Sequence, residues 1–335
     1  MQVTRHPVLR RFWYPVLPMA RLEKAPQAVR LLGEDIVVWK DGEGRPAAVV
    51  ERCCHRSAKL ALGFYSEGRL ACGYHGWCYD RTGKVVKIPQ FPRDTIPEGA
   101  RIHAYVAEER YGYAWVCLAP EALAPIPSIP EMHEAGWRRI EQFHEVWNCS
   151  AMRLMENMMD TGHFTYVHRA TFGDTNPEPV APELERGELG YVMKTVVPVN
   201  NNPLNQKNLG MESPHTVRRN HINWWMPFTR RQRIEYPNGL VHIILTLVAP
   251  IDDASVTMSQ FVLRNDTEAE AKAADVIAFD RQVTLEDKHF VEATRPEVPL
   301  ADLTLERHIP SDKAGLLMRR MFRELFERHG ETVDA

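Results

Sequence analysis

Sulfur and imidazole are concentrated in one stretch of this chain, CCHRSAKLALGFYSEGRLACGYHGWC, at residues 53–78. Four of the six cysteines in the 335 residues lie there, and the stretch can be written Cys53-x-His55, sixteen intervening residues, and Cys72-x-x-His75. Each half is a short loop that presents one thiolate and one imidazole. Zinc accepts such a set, and so does a [2Fe–2S] cluster with two cysteines on one iron and two histidines on the other.

The residues around the second half favour the iron–sulfur cluster. Gly73, Tyr74, Gly76 and Trp77 predict a tight loop whose backbone N–H groups reach sulfur and whose aromatic rings shield a cluster. On the residues alone, a zinc site and a metal-free interpretation with buried cysteines both stay open. Cys78 lies three residues beyond the second histidine and is expected to be a packing residue.

Composition excludes several classes of protein. A hydrophobic content of 44%, a charged content of 25% and a net charge of −3 are typical of a soluble globular protein without a field for nucleic acid or a membrane surface. The sequence has no apolar run of the length that a membrane helix needs and no apolar signal core near its start. A cytoplasmic protein is therefore expected, where thiols stay reduced and clustered cysteines indicate a metal site.

Hydrophobic patterning predicts two domains, residues 1–125 and 126–335. Short β-rich runs broken by glycine and aspartate dominate the first, and the proline-bearing stretch 118–132 is a predicted linker. The polar segment 200–214 is expected to be a mobile loop. Helices are expected in the first half of 151–170 and over 268–294 and 311–330, and strands at 191–198, 218–226, 231–237 and 241–250.

A second constellation lies in NMMDTGHFTYVH, which contains Asn157, Asp160, His163 and His168. On a regular helix the aspartate and the first histidine are one turn apart and share a face. The two histidines are five residues apart, so they can bind one metal only if the helix ends or bulges between them. Taken alone, the pattern also fits ordinary core or capping histidines.

The first cluster resembles a known motif. CCHRSAKLALG and LACGYHGWCYDRTGKVVKIP are similar to the Rieske motif of the non-heme iron oxygenases. The sequence departs from that motif at Cys54, Ser57 and Gly73, where the family usually has proline, glycine and proline, and none of these is a ligand position. The resemblance implies a Rieske [2Fe–2S] cluster held by Cys53, His55, Cys72 and His75.

The second constellation resembles the catalytic motif of the same family, [EN]-x-x-D-x-x-H-x-x-x-x-H. The resemblance implies a mononuclear Fe(II) held by His163, His168 and a distant aspartate, a facial triad that leaves positions open for O₂. TLEDKHFVEA, residues 284–293, resembles the family's C-terminal helix. Asp287 is the ligand expected there, with Glu286 as its rival and Asp280 as a weaker candidate.

The family also implies a fold and an assembly. The expected class is α+β, with an N-terminal antiparallel β Rieske domain and a C-terminal helix-grip (START-like) catalytic domain. Asp160 is expected to bridge His163 and a Rieske histidine of the next subunit in a head-to-tail homotrimer, with Asn157 near the same route. Electrons are expected from NAD(P)H through a separate reductase or ferredoxin.

The predicted function is the terminal oxygenase component of a Rieske monooxygenase or demethylase, most similar to the vanillate/dicamba O-demethylase branch. It would hydroxylate or O- or N-demethylate a small aromatic or heterocyclic substrate. The alternatives are a ring dioxygenase that forms cis-diols, a Rieske electron carrier and a zinc-stabilised ligand-binding protein. Substrate-cavity candidates, which the sequence cannot separate from ordinary core residues, are Met152, Met155, Asn223, Trp224, Trp225, Met226 and His242.

Overall fold

The structure is a computed structural model that describes residues 1–91, 95–174, 176–178 and 181–333. The chain divides into two compact units. One consists of Val3–Ile126 with Ala249–Asp252, and the other of Met1–Gln2, Pro127–Val248 and Asp253–Ala335. The boundary expected between residues 125 and 126 lies one residue from this division.

The described residues of the N-terminal unit form ten strands in two antiparallel sheets. The strands are β1 (Tyr14–Pro18), β2 (Gln27–Leu31), β3 (Glu34–Lys40), β4 (Pro46–Val50), β5 (Phe64–Ser66), β6 (Arg69–Ala71), β7 (Cys78–Tyr79), β8 (Val85–Lys87), β9 (Ala104–Arg110) and β10 (Tyr113–Cys117). The larger sheet has the order β1-β10-β9-β4-β3-β2, and the smaller has the order β5-β6-β7-β8. Short 3₁₀ helices lie at Val3–Arg5, Pro7–Arg11, Met19–Leu22 and Leu60–Leu62.

The two sheets share a core that reaches the cysteine loops. Val37 and Trp39 of β3 and Leu70 of β6 are fully buried in one cluster that also contains Cys53 and Cys72. The first cysteine follows β4, and the second lies in the connection from β6 to β7. The loops that carry sulfur are therefore fixed at their bases by hydrophobic packing.

The C-terminal unit is built on a seven-stranded sheet with the order β11-β17-β16-β15-β14-β13-β12. Its strands are β11 (Arg138–Trp147), β12 (Glu183–Arg186), β13 (Gly190–Asn200), β14 (His215–Trp225), β15 (Thr229–Glu235), β16 (Val241–Pro250) and β17 (Val256–Arg264). Its helices are α1 (Ala151–Met158), α2 (Phe164–Val167), α3 (Pro203–Leu209), α4 (Ala273–Val291) and α5 (Lys313–Arg328), with 3₁₀ turns at Pro130–Met132, Leu303–Leu305 and Pro310–Asp312.

The long helix α4 packs its apolar residues against this sheet. Val276 joins a cluster with Val262 of β17, and Phe279 joins one with Val197 and Val199 of β13. These contacts fix the rotation of α4, because a helix presents residues three and four apart on one face. The expected α+β class, an antiparallel β domain followed by a sheet-and-helix domain, is confirmed.

The expectation of a loop over 200–214 was wrong in its centre, where α3 forms. The Asn202 side chain accepts a hydrogen bond from the Asn205 N–H at 2.8 Å, Pro203 occupies the first turn, and Gly210 adopts a left-handed conformation at the end. These are strong start and stop residues, and they outweigh the polarity of the segment. Among the described residues, no helix is both long and apolar enough to cross a lipid bilayer.

Candidate functional site

Two interruptions of the helix, one before His163 and one at His168, place these histidines on one side of the unit. Helix α1 ends at Met158, and Asp160 then accepts hydrogen bonds from the Gly162 N–H at 2.9 Å and the His163 N–H at 3.0 Å. The short helix α2 separates the two histidines. The break therefore begins before the first histidine, and Asp160 closes a turn instead of sharing a helix face with it, because its carboxylate competes for backbone N–H groups.

Asp287 of α4 meets both histidines. Its Oδ1 lies 3.3 Å from His163 Nε2 and 3.2 Å from His168 Nε2. One ligand atom from each of the three residues lies within 4.8 Å of the other two. Two imidazole nitrogens and one carboxylate oxygen form the donor set of a 2-His-1-carboxylate iron site. The residues present therefore fit a mononuclear metal ion.

A second carboxylate contacts the Nδ1 atom of each histidine, on the side of the ring opposite Asp287. His163 Nδ1 lies 2.8 Å from Asp160 Oδ2, and His168 Nδ1 lies 2.9 Å from Glu286 Oε2. Thr171 Oγ1 donates to the same Glu286 oxygen at 2.8 Å. Such bonds fix the ring orientation and leave each Nε2 free for a metal. Glu286, the rival ligand in the sequence, thus contacts the far side of the imidazole.

Charge at this site is arranged around the buried carboxylate. Burial raises the pKa of Asp287, but hydrogen bonds from His163 and His168 outweigh burial and hold that pKa well below its usual range. Burial lowers the pKa of His163, but its bonds to Asp160 and Asp287 outweigh burial and raise that pKa to about 9. The site therefore attracts positive charge, and a metal ion would displace a proton from it.

Asn157 connects the site to a cavity. Its Nδ2 donates to Asp287 Oδ1 at 3.4 Å, and its buried Oδ1 has no hydrogen-bond partner among the described residues. Asp280 lies elsewhere on α4, where it accepts a hydrogen bond from Gln142 at 2.8 Å. It lies 3.5 Å from His242 and does not join His163 and His168.

The two cysteine loops have the same backbone hydrogen bonds. Cys53 N–H donates to Ala58 O at 2.9 Å and its carbonyl accepts from Ser57 N–H at 2.9 Å, while Cys72 N–H donates to Trp77 O at 2.9 Å and its carbonyl accepts from Gly76 N–H at 2.8 Å. Ser57 and Gly76 are the left-handed residues of the two turns, with φ of 55° and 71°. Ser57 thus adopts a conformation that favours glycine, the residue usual at this position in the Rieske motif.

These loops bring the four expected ligands into two pairs. Both cysteine side chains are buried, and the ring centroids of His55 and His75 lie 4.6 Å apart. The His55 ring stacks on Trp77 at 4.5 Å. Two buried thiols and two adjacent imidazoles are the donor set of a Rieske cluster, so the residues present fit that cofactor.

Tyr79 was not anticipated from the sequence. Its hydroxyl donates to Cys53 Sγ at 3.1 Å and accepts from the Cys54 N–H at 3.1 Å. Hydrogen bonds to sulfur tune the potential of an iron–sulfur cluster. Cys78 is buried, and its thiol donates to Gly76 O at 3.3 Å, as a packing residue can.

A cavity in the C-terminal unit opens beside the histidines and Asp287. One face of α4 lines it, with α3 and inward residues of β13 to β17. Among the cavity candidates from the sequence, His242 lines it, whereas Met152, Met155 and Trp224 are buried in the core. Many lining side chains are polar: Asn205, Asn208, Arg218, Asn220, Arg230, Gln232, Thr246, Gln260 and Asp280. Of the two roles that the sequence left open for Met152, Met155 and Trp224, the structure thus shows the core role, and the polar lining suits the cavity to a polar ring.

Two family descriptions match the chain. Residues 12–106 match the Rieske [2Fe-2S] domain, and residues 147–328 match the vanillate O-demethylase oxygenase C-terminal domain. The methylxanthine N1-demethylase NdmA of Pseudomonas putida is 34% identical over 98% of this chain and 92% of its own length.

Solved structures agree with these matches. NdmA of Pseudomonas putida CBB5 with caffeine has a TM-score of 0.83 and 29% identity, covering 98% of this chain and 94% of that one. Dicamba monooxygenase bound to 3,6-dichlorosalicylic acid has a TM-score of 0.85 and 22% identity, covering 97% and 99%, and so has the same fold.

The contact of Glu286 predicts a graded loss of iron. Glu286→Ala should weaken Fe(II) binding about 10- to 100-fold, because His168 loses the group that orients it, whereas Asp287→Ala should remove the mononuclear iron. Fe(II) titration of the metal-depleted protein measures both. Gln282→Ala, at an exposed position one turn earlier on α4, is the control and should bind like wild type. Wild-type affinity in Glu286→Ala would contradict the assigned contact.

The contact of Tyr79 predicts a shift in cluster potential. Tyr79→Phe should lower the midpoint potential by about 40 mV, since losing about 1 kcal/mol of hydrogen bonding disfavours the more negative reduced cluster. Protein-film voltammetry measures the shift. Tyr65→Phe removes a hydroxyl that donates to Leu22 O at 2.6 Å and should leave the potential unchanged. An equal shift in both variants would show a general effect of tyrosine loss.

Proposed function

This chain belongs to the Rieske non-heme iron oxygenases, with a vanillate O-demethylase type of catalytic domain, and from that premise we propose that it demethylates a small ring substrate. As an oxidoreductase of this family it is the terminal oxygenase of a multicomponent system. The observation that carries the proposal is the meeting of His163, His168 and Asp287 at a polar cavity.

The two metal sites have separate proposed roles. Cys53, His55, Cys72 and His75 hold the Rieske cluster, and His163, His168 and Asp287 hold mononuclear Fe(II). When bound, the cluster supplies electrons and the iron supplies O₂ activation. The electrons are proposed to come from NAD(P)H through a separate reductase or ferredoxin, and a cytoplasmic location is proposed for the system.

The proposed reaction is N-demethylation, which the 34% identical methylxanthine N1-demethylase supports over O-demethylation. One atom of O₂ enters a methyl C–H bond, and the other leaves as water with two electrons and two protons. The resulting N–CH₂OH group breaks its C–N bond, giving N–H and formaldehyde. The residues of this chain hold the ring so that one methyl group faces the metal site, and they hold the imidazoles in place through Asp160 and Glu286.

Asp160 and Asn157 are proposed to act at the edge of the site. Asp160 orients His163 and, in a head-to-tail homotrimer, is proposed to reach a Rieske histidine of the next subunit. Support comes from its position, because one carboxylate oxygen is bonded to His163 Nδ1 while its side chain remains partly exposed. Asn157 is proposed to hold Asp287 through Nδ2 and to face the substrate with its unpaired Oδ1.

The function can be tested by its product. We expect the anaerobically purified protein to hold two irons and two acid-labile sulfides in the cluster, plus one further iron. With a ferredoxin–reductase pair, NADH and O₂, it should release one formaldehyde per N-methyl heterocycle consumed, as measured by chromatography and a formaldehyde assay. Release of a cis-diol would indicate a ring dioxygenase instead, and a colourless zinc protein would refute the family-based assignment of both centres.

The role of Asp160 predicts a separation of metal binding from turnover. Asp160→Asn keeps the shape and removes the charge, so both metal centres should load fully while formaldehyde release falls about 10- to 100-fold. Iron content and turnover are measured together. Glu188→Gln, a matched charge loss at an exposed turn, should be fully active. Loss of iron from Asp160→Asn would instead show that Asp160 is needed for metal binding.

The proposed trimer has its own test. Cys72→Ser removes the cluster from one protomer, and His168→Ala removes the iron from another. If the centres cooperate between subunits, mixed trimers of these two inactive variants should recover part of the activity. Inactive mixtures with confirmed trimers would show that each chain uses its own cluster.

A further inference from the structure

The cavity contains polar atoms that the folded chain leaves unsatisfied. Among the described residues, six buried side-chain atoms without a hydrogen-bond partner belong to cavity-lining residues: Asn157 Oδ1, Asn208 Oδ1, Arg218 Nε, Arg230 Nε, His242 Nε2 and Thr246 Oγ1. Leaving a buried donor or acceptor unpaired is costly, so such atoms take water or a ligand as partner. Their clustering indicates that the ligand supplies several polar contacts.

Two of these atoms belong to guanidinium groups, each of which carries a full positive charge. Arg218 on β14 is 7% exposed, and its guanidinium lies over the Phe172 ring with its central carbon 4.1 Å from the centroid. Arg230 on β15 is also 7% exposed, and its Nη2 donates to Gln232 Oε1 at 2.6 Å. No carboxylate of the described residues forms an ion pair within 4.0 Å of either guanidinium. Burial lowers the pKa of Arg230 to about 10, although the charges of Asp287 and Tyr191 act in the opposite direction.

Other buried arginines of this unit have carboxylate partners. Arg264 pairs with Asp266, Arg231 with Glu131, and Arg319 with Glu156. The two buried arginines without such a partner both line the cavity, and a buried charge without a partner is among the most costly features of a fold. Their counter-charge is therefore expected to come from a bound molecule.

The acidic residues of the cavity act on these arginines without forming an ion pair with them: the Asp287 charge raises the pKa of Arg230, and the Arg218 charge lowers the pKa of Asp280. Asp287 is engaged by both histidines. Asp280 lies two turns earlier on α4, about 10 Å along the helix axis. It accepts a hydrogen bond from Gln142, its Oδ2 lies 3.5 Å from His242 Nε2, and burial raises its pKa to about 7. Because neither carboxylate lies within 4.0 Å of Arg218 or Arg230, a bound anion could still contact both guanidinium groups directly.

We propose that the substrate carries an oxyanion and that Arg218 and Arg230 bind it, which rests on the proposed demethylase function and names its substrate class. Phe172 stacks on His168 with centroids 4.5 Å apart, so Arg218 lies one ring away from a metal-facing histidine. Arg230 lies opposite Trp224, six residues along β14 from Arg218, so the two guanidinium groups would contact the anionic ring from different parts of the cavity wall and thereby select which methyl group faces the metal site. The oxyanion has two sources, an exocyclic carboxylate or an ionised ring oxygen of an acidic heterocycle.

Matched ligand pairs test the proposal on the holoenzyme. In the ring arm, 1,3,7-trimethylurate, an anion at pH 8, is compared with neutral caffeine. In the carboxylate arm, 4-methoxybenzoate is compared with 4-methoxybenzamide. Calorimetric titration without a reductant gives Kd, so binding is measured apart from turnover. We expect wild type to prefer the anion in at least one arm, which identifies the source of the charge.

Charge removal at each arginine is the decisive comparison. Arg218→Gln and Arg230→Gln should each weaken binding of the preferred anion about 10- to 100-fold and change the neutral partner far less. Arg219→Gln, an exposed neighbour on β14, removes the same charge outside the cavity and should bind like wild type. The melting temperature of the ligand-free glutamine variants should stay equal or rise, because each loses an uncompensated buried charge. Should a glutamine variant fail to fold, Arg→Lys at the same position replaces it and should show a smaller loss of the same anion preference.

Several results would overturn the proposal. These are equal affinity for both members of each pair, no binding of either anion at millimolar concentration, or the same loss in Arg219→Gln. Formaldehyde release from the preferred anion by Arg218→Gln with the wild-type kcat/KM would also overturn it while leaving the demethylase function intact. Conversely, arginine-dependent anion binding without any formaldehyde would support the site and refute demethylation.

Discussion

The structure of the catalytic unit depends on a buried carboxylate held between two imidazoles. Asp287 is drawn to His163 and His168 strongly enough to outweigh the cost of its burial. Each imidazole is in turn held by another carboxylate, Asp160 or Glu286. This alternation of carboxylates and imidazoles leaves three ligand atoms close together before any metal binds, so little rearrangement is needed to bind one.

The N-terminal unit solves a related problem with backbone geometry. Two turns with identical hydrogen bonds present one cysteine inward and one histidine outward from each loop. The turn requires a left-handed residue, which is Gly76 in one loop and Ser57 in the other. A serine there is strained, and the hydrophobic core at the base of the loop, with the Tyr79 hydroxyl on Cys53, supports the conformation.

The cavity contains buried polar groups that lower the stability of the empty fold and are available to bind a ligand. The same sheet pairs Arg231 with Glu131, whereas Arg230, the preceding residue, faces the cavity and forms no ion pair with a carboxylate of the described residues. Neighbouring residues of a strand point to opposite faces, so one is part of the protein's own ion-pair network and the other is available to a ligand. A site of this kind is less favourable when empty and gains selectivity when filled.

Ligand residues close together in the sequence could be predicted from the sequence, because a loop of a few residues holds its own geometry. This applies to the two cysteine–histidine pairs and to His163 with His168, whose roles remain predictions. Asp287 was expected through family resemblance, but only the tertiary structure separated it from Glu286. Adjacent helix residues point about 100° apart, and the rotation of α4 is set by Val276 and Phe279 packing on distant strands. The structure was also needed to find the Tyr79 contact, the Glu286 contact and the two arginines without an ion pair. Each depends on which elements pack together in the fold, and no local sequence pattern encodes that.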